Sequence, residues 1–331
     1  MPGPTDKPEH DPTDLLAWVA DRCGASRATR GARIQSLWSG YGEIVRVHLD
    51  DAEAASVILK HVRPPSAANH PRGWSTNRSH ARKLRSYAIE RAFYVDFAPR
   101  TTATCRVPRC LGATTLGDGA AFVLEDLDAA GFGARRASLR GSALDVALRW
   151  LASFHVRFLA VDPAGLWPEG TYWHLATRPD ELAATTDPRL KAAAHTLDAR
   201  LASARYRTLV HGDAKVANLC FTPDGRDVAA VDFQYVGGGC GMKDVAYLLG
   251  SAMTERELAR EADPAVDAYF AHVREAAREH GCDADVDALE LEWRALYPVA
   301  WADFARFLSG WAPGHGKLHG YTRRMVDAAL G

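Results

Sequence analysis

Apolar and polar residues follow two rhythms along this chain, and the first gives way to the second near its middle. Over 34–62 the step is two. Val45, Val47 and Leu49 alternate with polar neighbours, which is the mark of a half-buried strand. Three strands are expected there, at 34–39, 43–49 and 56–62. Ser39-Gly40-Tyr41-Gly42 and Asp50-Asp51-Ala52-Glu53 supply the turns between them. Before them, 13–23 reads as a short helix capped by Thr13, with Asp14 in its first turn. Residues 1–12 are polar and proline-containing and are expected to be a disordered tail. The stretch 63–78 holds three prolines and reads as a loop. A helix is expected over 79–97, strands near 105–111 and 120–125, and a connector over 126–134.

Beyond residue 140 the step lengthens. Leu144, Leu148, Leu151 and Phe158 mark one face of a helix over 143–159. Strands return only within 206–235, and from 243 onward the pattern is helical. The order is therefore a β-rich lobe (13–125) followed by a larger, mostly helical one (126–331). The class is α+β, without the strand–helix alternation of a doubly wound sheet.

Composition changes this picture little. The chain has 331 residues, 47% hydrophobic and 24% charged, enough for a substantial core. A formal net charge of -1 gives no field that would draw nucleic acid. No run of 18 apolar residues and no leader-like N-terminus occur, so a cytoplasmic protein, monomer or homodimer, without a membrane partner is expected. The six cysteines form no CxxC pair and no zinc spacing, so free thiols are expected. Of the 40 basic residues 33 are arginine and only 7 are lysine. Lysine used so sparingly suggests a compact point charge where it occurs.

The segment 206–250 carries the chemistry. An apolar strand delivers His211-Gly212-Asp213. Two more apolar runs then flank Pro223-Asp224-Gly225-Arg226, a strong hairpin signal. Folding about that turn brings Asn218 opposite Asp232, or within one pair of it. An amide oxygen and a carboxylate then meet at the hairpin's open end, a hard-oxygen site suited to Mg²⁺. Asp213 sits at the same end, placed to take a proton from an attacking hydroxyl. A lone Asp or Asn is usually a cap or turn residue, but three converging on one end are not.

Asp213-x-Lys215-x-x-Asn218 followed by Asp232-Phe233 is similar to the kinase catalytic loop and metal-binding motif. With His-Gly-Asp at 211–213, the chain resembles the aminoglycoside phosphotransferase and choline kinase superfamily. The Asp-Phe-Gln at 232–234 and the KDVAYLL that follows look most like its ecdysteroid-kinase-like (CHK kinase-like) branch. The close resemblance spans about 206–250, with weaker support from 34 to the end. It implies a bilobal, protein-kinase-like fold with a nucleotide-binding first lobe, and ATP and Mg²⁺ as cofactors. It makes Asp213 the catalytic base and sets Lys215 on the transferred phosphate. Asn218 and Asp232 would be metal ligands, and His211 and Asp244 supports of the loop. Gln234 stands where glycine is usual after Asp-Phe.

The same template asks for a third-strand lysine on the α- and β-phosphates and a helix glutamate to orient it. Lys60 follows Val57-Ile58-Leu59. Glu90 shares a helix stripe with Tyr87, Tyr94 and Phe97. The alternative places Lys60 at a strand end with its charge in water and Glu90 facing solvent. Gly40, Tyr41 and Gly42 would cover the phosphates, although a G-x-G alone is weak and equally an ordinary turn. Glu125 and Leu127 would belong to the adenine-binding hinge.

Only about nine residues, four of them glycine, separate Gln234 from the helix near Asp244. That is short for a segment that docks peptides, so a small-molecule hydroxyl acceptor is expected: a hydroxylated metabolite, sterol-like, amino-sugar or choline-like. Trp293, Tyr297, Trp301, Phe304, Leu308 and Trp311 fall at helical spacing. Most such stripes are core. The functional reading makes Trp301, Asp303 and Trp311 acceptor-pocket residues, while Asp303 and Arg306 could equally pair with each other. His155 reads as a core histidine, and the loop around 310–321 has no evident purpose. A metal-dependent phosphohydrolase, a non-catalytic nucleotide-binding module and a protein kinase are the rival readings.

Overall fold

The structure, a computed structural model, describes residues 15–37, 40–64 and 76–331. The expected tail at 1–12, Thr13, Asp14, Ser39 and most of the proline loop lie outside them. The chain divides into two compact units. The first comprises the described residues up to Pro99 together with Pro108–Ala130, and the second Arg100–Val107 with Gly131–Gly331.

The first unit is built on a five-stranded antiparallel sheet in the order β1-β2-β3-β5-β4. Its strands are β1 (Arg27–Ser36), β2 (Gly42–Asp50), β3 (Ser56–Val62), β4 (Cys110–Leu116) and β5 (Gly119–Glu125). Alternation does the sorting. Val45, Val47, Val57, Leu59, Ala121 and Val123 share one core cluster with Val19 and Ala20 of helix α1 (Leu15–Cys23). Residues one step out of phase, Lys60 among them, belong to the other face. Helix α2 (Thr76–Ala92) brings Glu90 to Lys60 and runs on into a π turn, Phe93–Phe97.

Two strands depart from expectation. β1 starts at Arg27 rather than 34. It is an edge strand with mostly exposed side chains, so backbone pairing with β2 rather than an apolar pattern creates it. β4 lies at Cys110–Leu116 rather than near 105–111. Pro108 has no N–H for a ladder, and Gly117-Asp118 closes a two-residue hairpin pairing Leu116 with Gly119. The helix expected over 79–97 begins earlier, at Thr76, and leaves α geometry after Ala92.

The second unit is mostly helical. Helix α3 (Ser142–Arg157) packs on α7 (Glu255–Glu279), and α8 (Val286–Trp311) packs on α5 (Pro188–Ala202), α6 (Met242–Ala252) and α9 (Gly320–Leu330). A short α4 (Pro179–Ala183) also meets α8. Capping follows sequence rules. Thr254 and Glu257 close a capping box on α7, and Asp187 and Asp285 accept first-turn N–H groups of α5 and α8. Two small antiparallel sheets complete it: β6 (Thr208–Val210) with β9 (Gly237–Gly239), and β7 (Leu219–Phe221) with β8 (Val228–Ala230).

Strand β9 is not foreseen by the sequence, because three glycines read as a loop. A Cβ at Gly237 would sit 2.2 Å from the Trp167 carbonyl oxygen, so only bare backbone fits. Gly238 N–H donates to that carbonyl at 3.0 Å, and Gly170 N–H to the Gly238 oxygen at 2.8 Å. Among the described residues no helix is long and apolar enough to cross a membrane.

Candidate active site

Strand β6 leads into His211-Gly212-Asp213, and the backbone there is fixed by its neighbours. Gly212 has φ +80°, and a Cβ would meet the Tyr235 oxygen at 2.0 Å. Its N–H and that of His211 both donate to the Asp244 carboxylate, at 3.0 and 2.6 Å. Asp244 lies in the first turn of α6 and is fully buried. It also meets His155 Nε2 at 3.2 Å, while His155 Nδ1 reaches the Tyr269 hydroxyl at 2.8 Å. Asp244 is thus a brace for the loop rather than a helix cap. His155 is a satisfied core histidine.

Burial would raise the Asp244 pKa, but the bonds from His155 and the loop hold it below the usual carboxylate value. Because it is depressed, its stabilisation is present above about pH 4 and is lost as pH falls through the folded value. Asp244→Ala strips two buried N–H groups of their acceptor. At ~1–3 kcal/mol each, a loss of roughly 2–6 kcal/mol is expected in urea unfolding at pH 7.

His211 is buried and fixed at both nitrogens. Nδ1 accepts from Asp213 N–H at 3.2 Å, and Nε2 lies 3.0 Å from the Val231 oxygen. The neutral ring protonated on Nε2 satisfies both. The chain then turns through Lys215, whose carbonyl accepts from Asn218 N–H at 2.9 Å. Val216 N–H donates to Ser251 Oγ at 3.1 Å.

Within this turn Lys215 Nζ donates to Asp213 Oδ2 at 2.8 Å. Asn218 Nδ2 donates to the same oxygen at 3.1 Å and to the Asp213 carbonyl at 2.9 Å. Both partners are acceptors, which fixes the amide orientation and turns Asn218 Oδ1 away from Asp213.

The β7–β8 register pairs Leu219 with Ala230. Asn218 therefore faces Val231, whose N–H donates to its carbonyl at 3.0 Å, and Asp232 follows one residue later. Asp232 has φ +70°, uncommon for a residue with a side chain but tolerated by aspartate. Gln234, standing where glycine was usual, donates from Nε2 to Asp232 Oδ1 at 2.8 Å. Electrostatics register the convergence. Burial raises the Asp213 pKa, Lys215 opposes this, and the neighbouring Asp232 charge raises it again. Asn218 and Asp232 offer one amide and one carboxylate oxygen, hard donors that fit Mg²⁺ with non-protein oxygens filling the other positions. Among the described residues no group of three or more His, Cys, Asp and Glu could hold a metal alone.

In the first unit, Lys60 Nζ donates to both Glu90 oxygens, at 2.8 and 2.7 Å, with the side chains 4% and 1% exposed. The solvent-facing alternative does not hold. Tyr41 is turned inward, its hydroxyl 2.6 Å from His80 Nδ1, between Gly40 and Gly42. Glu125 ends β5, and its N–H is taken by the Arg109 oxygen at 2.9 Å. Leu127 is buried. Beside them Asp126 accepts from Arg46 Nε at 2.6 Å and Ser56 Oγ at 2.7 Å.

The acceptor residues expected on α8 divide. Trp301 is fully enclosed, packed edge-on to Tyr321 and against Gly250. Asp303 binds Arg306 Nε at 2.9 Å and Trp173 Nε1 at 3.0 Å, all buried. These two serve the core of the helical unit. Trp311 is half-buried and stacks on Phe307. The sequence did not single out Tyr172, Tyr247 or Lys317. Tyr172 N–H donates to the Gly212 oxygen at 3.1 Å, its ring lies 5.5 Å from that of Tyr247, and burial and the Asp213 charge raise the pKa of both hydroxyls. No periodicity links these positions.

The family model for the phosphotransferase enzyme family matches residues 33–280. The match is to the family as a whole and not to its ecdysteroid-kinase-like branch. No protein of curated function matches the sequence. Among solved structures, a fructosamine-3-kinase candidate from Thermobifida fusca is 16% identical over 95% of this chain and 96% of its own, with a TM-score of 0.53. An amicoumacin kinase in complex with AMP-PNP, Ca²⁺ and Ami is 14% identical over 97% and 92%, again with a TM-score of 0.53. At these identities the likeness is one of fold, the kinase-like α+β class expected from the sequence. With three quarters of its length inside the family match, the chain belongs to the phosphotransferase enzyme family.

Proposed function

We propose that the chain transfers the γ-phosphoryl group of ATP to a hydroxyl of a small molecule, with Mg²⁺. The observation that carries this is the contact of Asp213 with Lys215 and Asn218, braced by Asp244, next to Asp232. A carboxylate with a raised pKa, beside an ammonium, is a competent proton acceptor for an attacking hydroxyl. Asp213 takes that proton as the oxygen attacks, and Lys215 offsets charge on the transferred group. Asn218 and Asp232 would hold the metal, which, when bound, neutralises phosphate charge. Lys60, oriented by Glu90, would hold the α- and β-phosphates, and the backbone around Glu125 and Leu127 the adenine. The first unit would thus be the nucleotide-binding lobe and the second the catalytic one. The segment between Asp232 and α6 is occupied by strand β9, which favours a small acceptor over a docked peptide.

The test combines calorimetry of Mg-nucleotide binding with an ADP-release screen across hydroxylated metabolites, sugars, sterols and hydroxy acids. Acceptor-dependent ADP release with matching phosphorylated product is expected. Hydrolysis indifferent to every acceptor would favour the phosphohydrolase, and phosphorylation of a generic peptide the protein kinase.

A further inference from the structure

Four lysines of this protein place their ammonium on an oxygen: Lys60 on Glu90, Lys215 on Asp213, Lys243 on Glu169 and Lys191 on the Ala183 carbonyl. Lys317 differs. It lies in the turn between α8 and α9, held by its own N–H on His315 Nδ1 at 3.1 Å and by Thr322 Oγ1 on its carbonyl at 2.6 Å. Its side chain crosses the face of Tyr247, with Nζ 4.9 Å from the ring centroid and 5.6 Å from that of Phe304. Among the described residues no carboxylate lies within 4 Å of this ammonium. The Tyr247 ring lies 5.5 Å from that of Tyr172, whose N–H donates to the Gly212 oxygen at 3.1 Å, one residue before Asp213. Burial pushes its pKa down to about 8, with Asp213 pulling up and Lys215 pushing down, so it stays largely protonated at neutral pH.

Aromatic faces beside a proton-accepting carboxylate are a natural seat for a cationic substrate. Here the chain's own lysine fills that seat. Ring faces attract the charge but accept few of its three N–H donors, so the ammonium retains hydrogen-bonding capacity toward a ligand. We propose that Lys317 sets the charge class of the acceptor: a hydroxyl compound carrying a carboxylate on an apolar body, to the exclusion of ammonium compounds. This rests on the phosphotransferase reading and narrows it. The carboxylate pairs with Lys317 while the hydroxyl meets Asp213 and the body lies against Tyr247 and Phe304. A second ammonium would meet like charge from both Lys317 and Lys215, the repulsive element that specificity requires.

The probes are three compounds of one shape: 4-(hydroxymethyl)benzoate, its neutral amide, and 4-(hydroxymethyl)benzylamine. Each is titrated by NMR against the full chain with Mg-ADP at pH 7. The benzoate should bind at least about tenfold tighter than the amine, a difference of 1.4 kcal/mol. Lys317→Met, which keeps the apolar stem on the rings, should erase the ordering. Lys317→Arg should retain it, and Lys317→Glu should invert it. Equal or tighter binding of the amine, an unchanged ordering in Lys317→Met, or no millimolar binding of the benzoate overturns the proposal. So does loss of Mg-ADP affinity in Lys317→Met with the ordering intact, since the lysine would then serve the nucleotide. Absence of Mg-ADP binding by the unmodified chain strikes instead at the phosphotransferase reading.

Discussion

Asp213→Asn is expected to lower acceptor phosphorylation by ~10²–10⁴-fold, the usual worth of a positioned base, while Mg-ATP affinity changes little. The substitution keeps the shape of the side chain and one oxygen to accept from Asn218 or Lys215. It removes a charge that burial and Asp232 both disfavour. A carboxyl whose folded pKa is raised ionises more readily in the unfolded chain, so at neutral pH its charge opposes folding. The variant should therefore be as stable as the parent, and lost turnover will not be lost fold. The measurement is single-turnover product formation with the unfolding midpoint recorded on the same preparation. Turnover within threefold of the parent would remove Asp213 from the mechanism.

The second large effect concerns stability. Lys60 and Glu90 are almost wholly excluded from water and joined by two short bonds. Truncating either partner leaves an uncompensated buried charge. Lys60→Met or Glu90→Leu alone should cost ~3–5 kcal/mol in denaturant unfolding. The double variant should recover most of that loss, because two apolar side chains replace a pair whose attraction mainly offsets its own desolvation. Nucleotide affinity separates the two roles: it should stay low in the double variant although stability returns. Single variants losing under about 1 kcal/mol would mean that the pair is hydrated in solution.

How much of this was legible depends on where each contact comes from. The hairpin carrying Asn218 and Asp232 was legible because Pro-Asp-Gly sits between two apolar runs. Its register falls within the expected one-pair range: Asn218 faces Val231, and Asp232 follows through a left-handed backbone step. Lys60 and Glu90 were legible because a charge on an apolar face requires a partner. Helical period could not show which side of α8 meets solvent, so core and pocket both stayed open for Trp301 and Asp303, and both side chains are buried. Lys317 was illegible for a different reason. It is brought to Tyr247 by a loop seventy residues downstream, and no local pattern encodes that meeting. β1 and β9 exist through backbone pairing, and composition carries almost no trace of it.

The glycine strand has a consequence for control. Residues 233–241 contain no serine or threonine, and the one tyrosine, Tyr235, is stacked on Trp167. Three residues of the segment are pinned by main-chain bonds and have no side chain for an effector to grip. The connection from Asp232 to α6 is accordingly a fixed strut. Seryl or threonyl modification has no acceptor between 233 and 241.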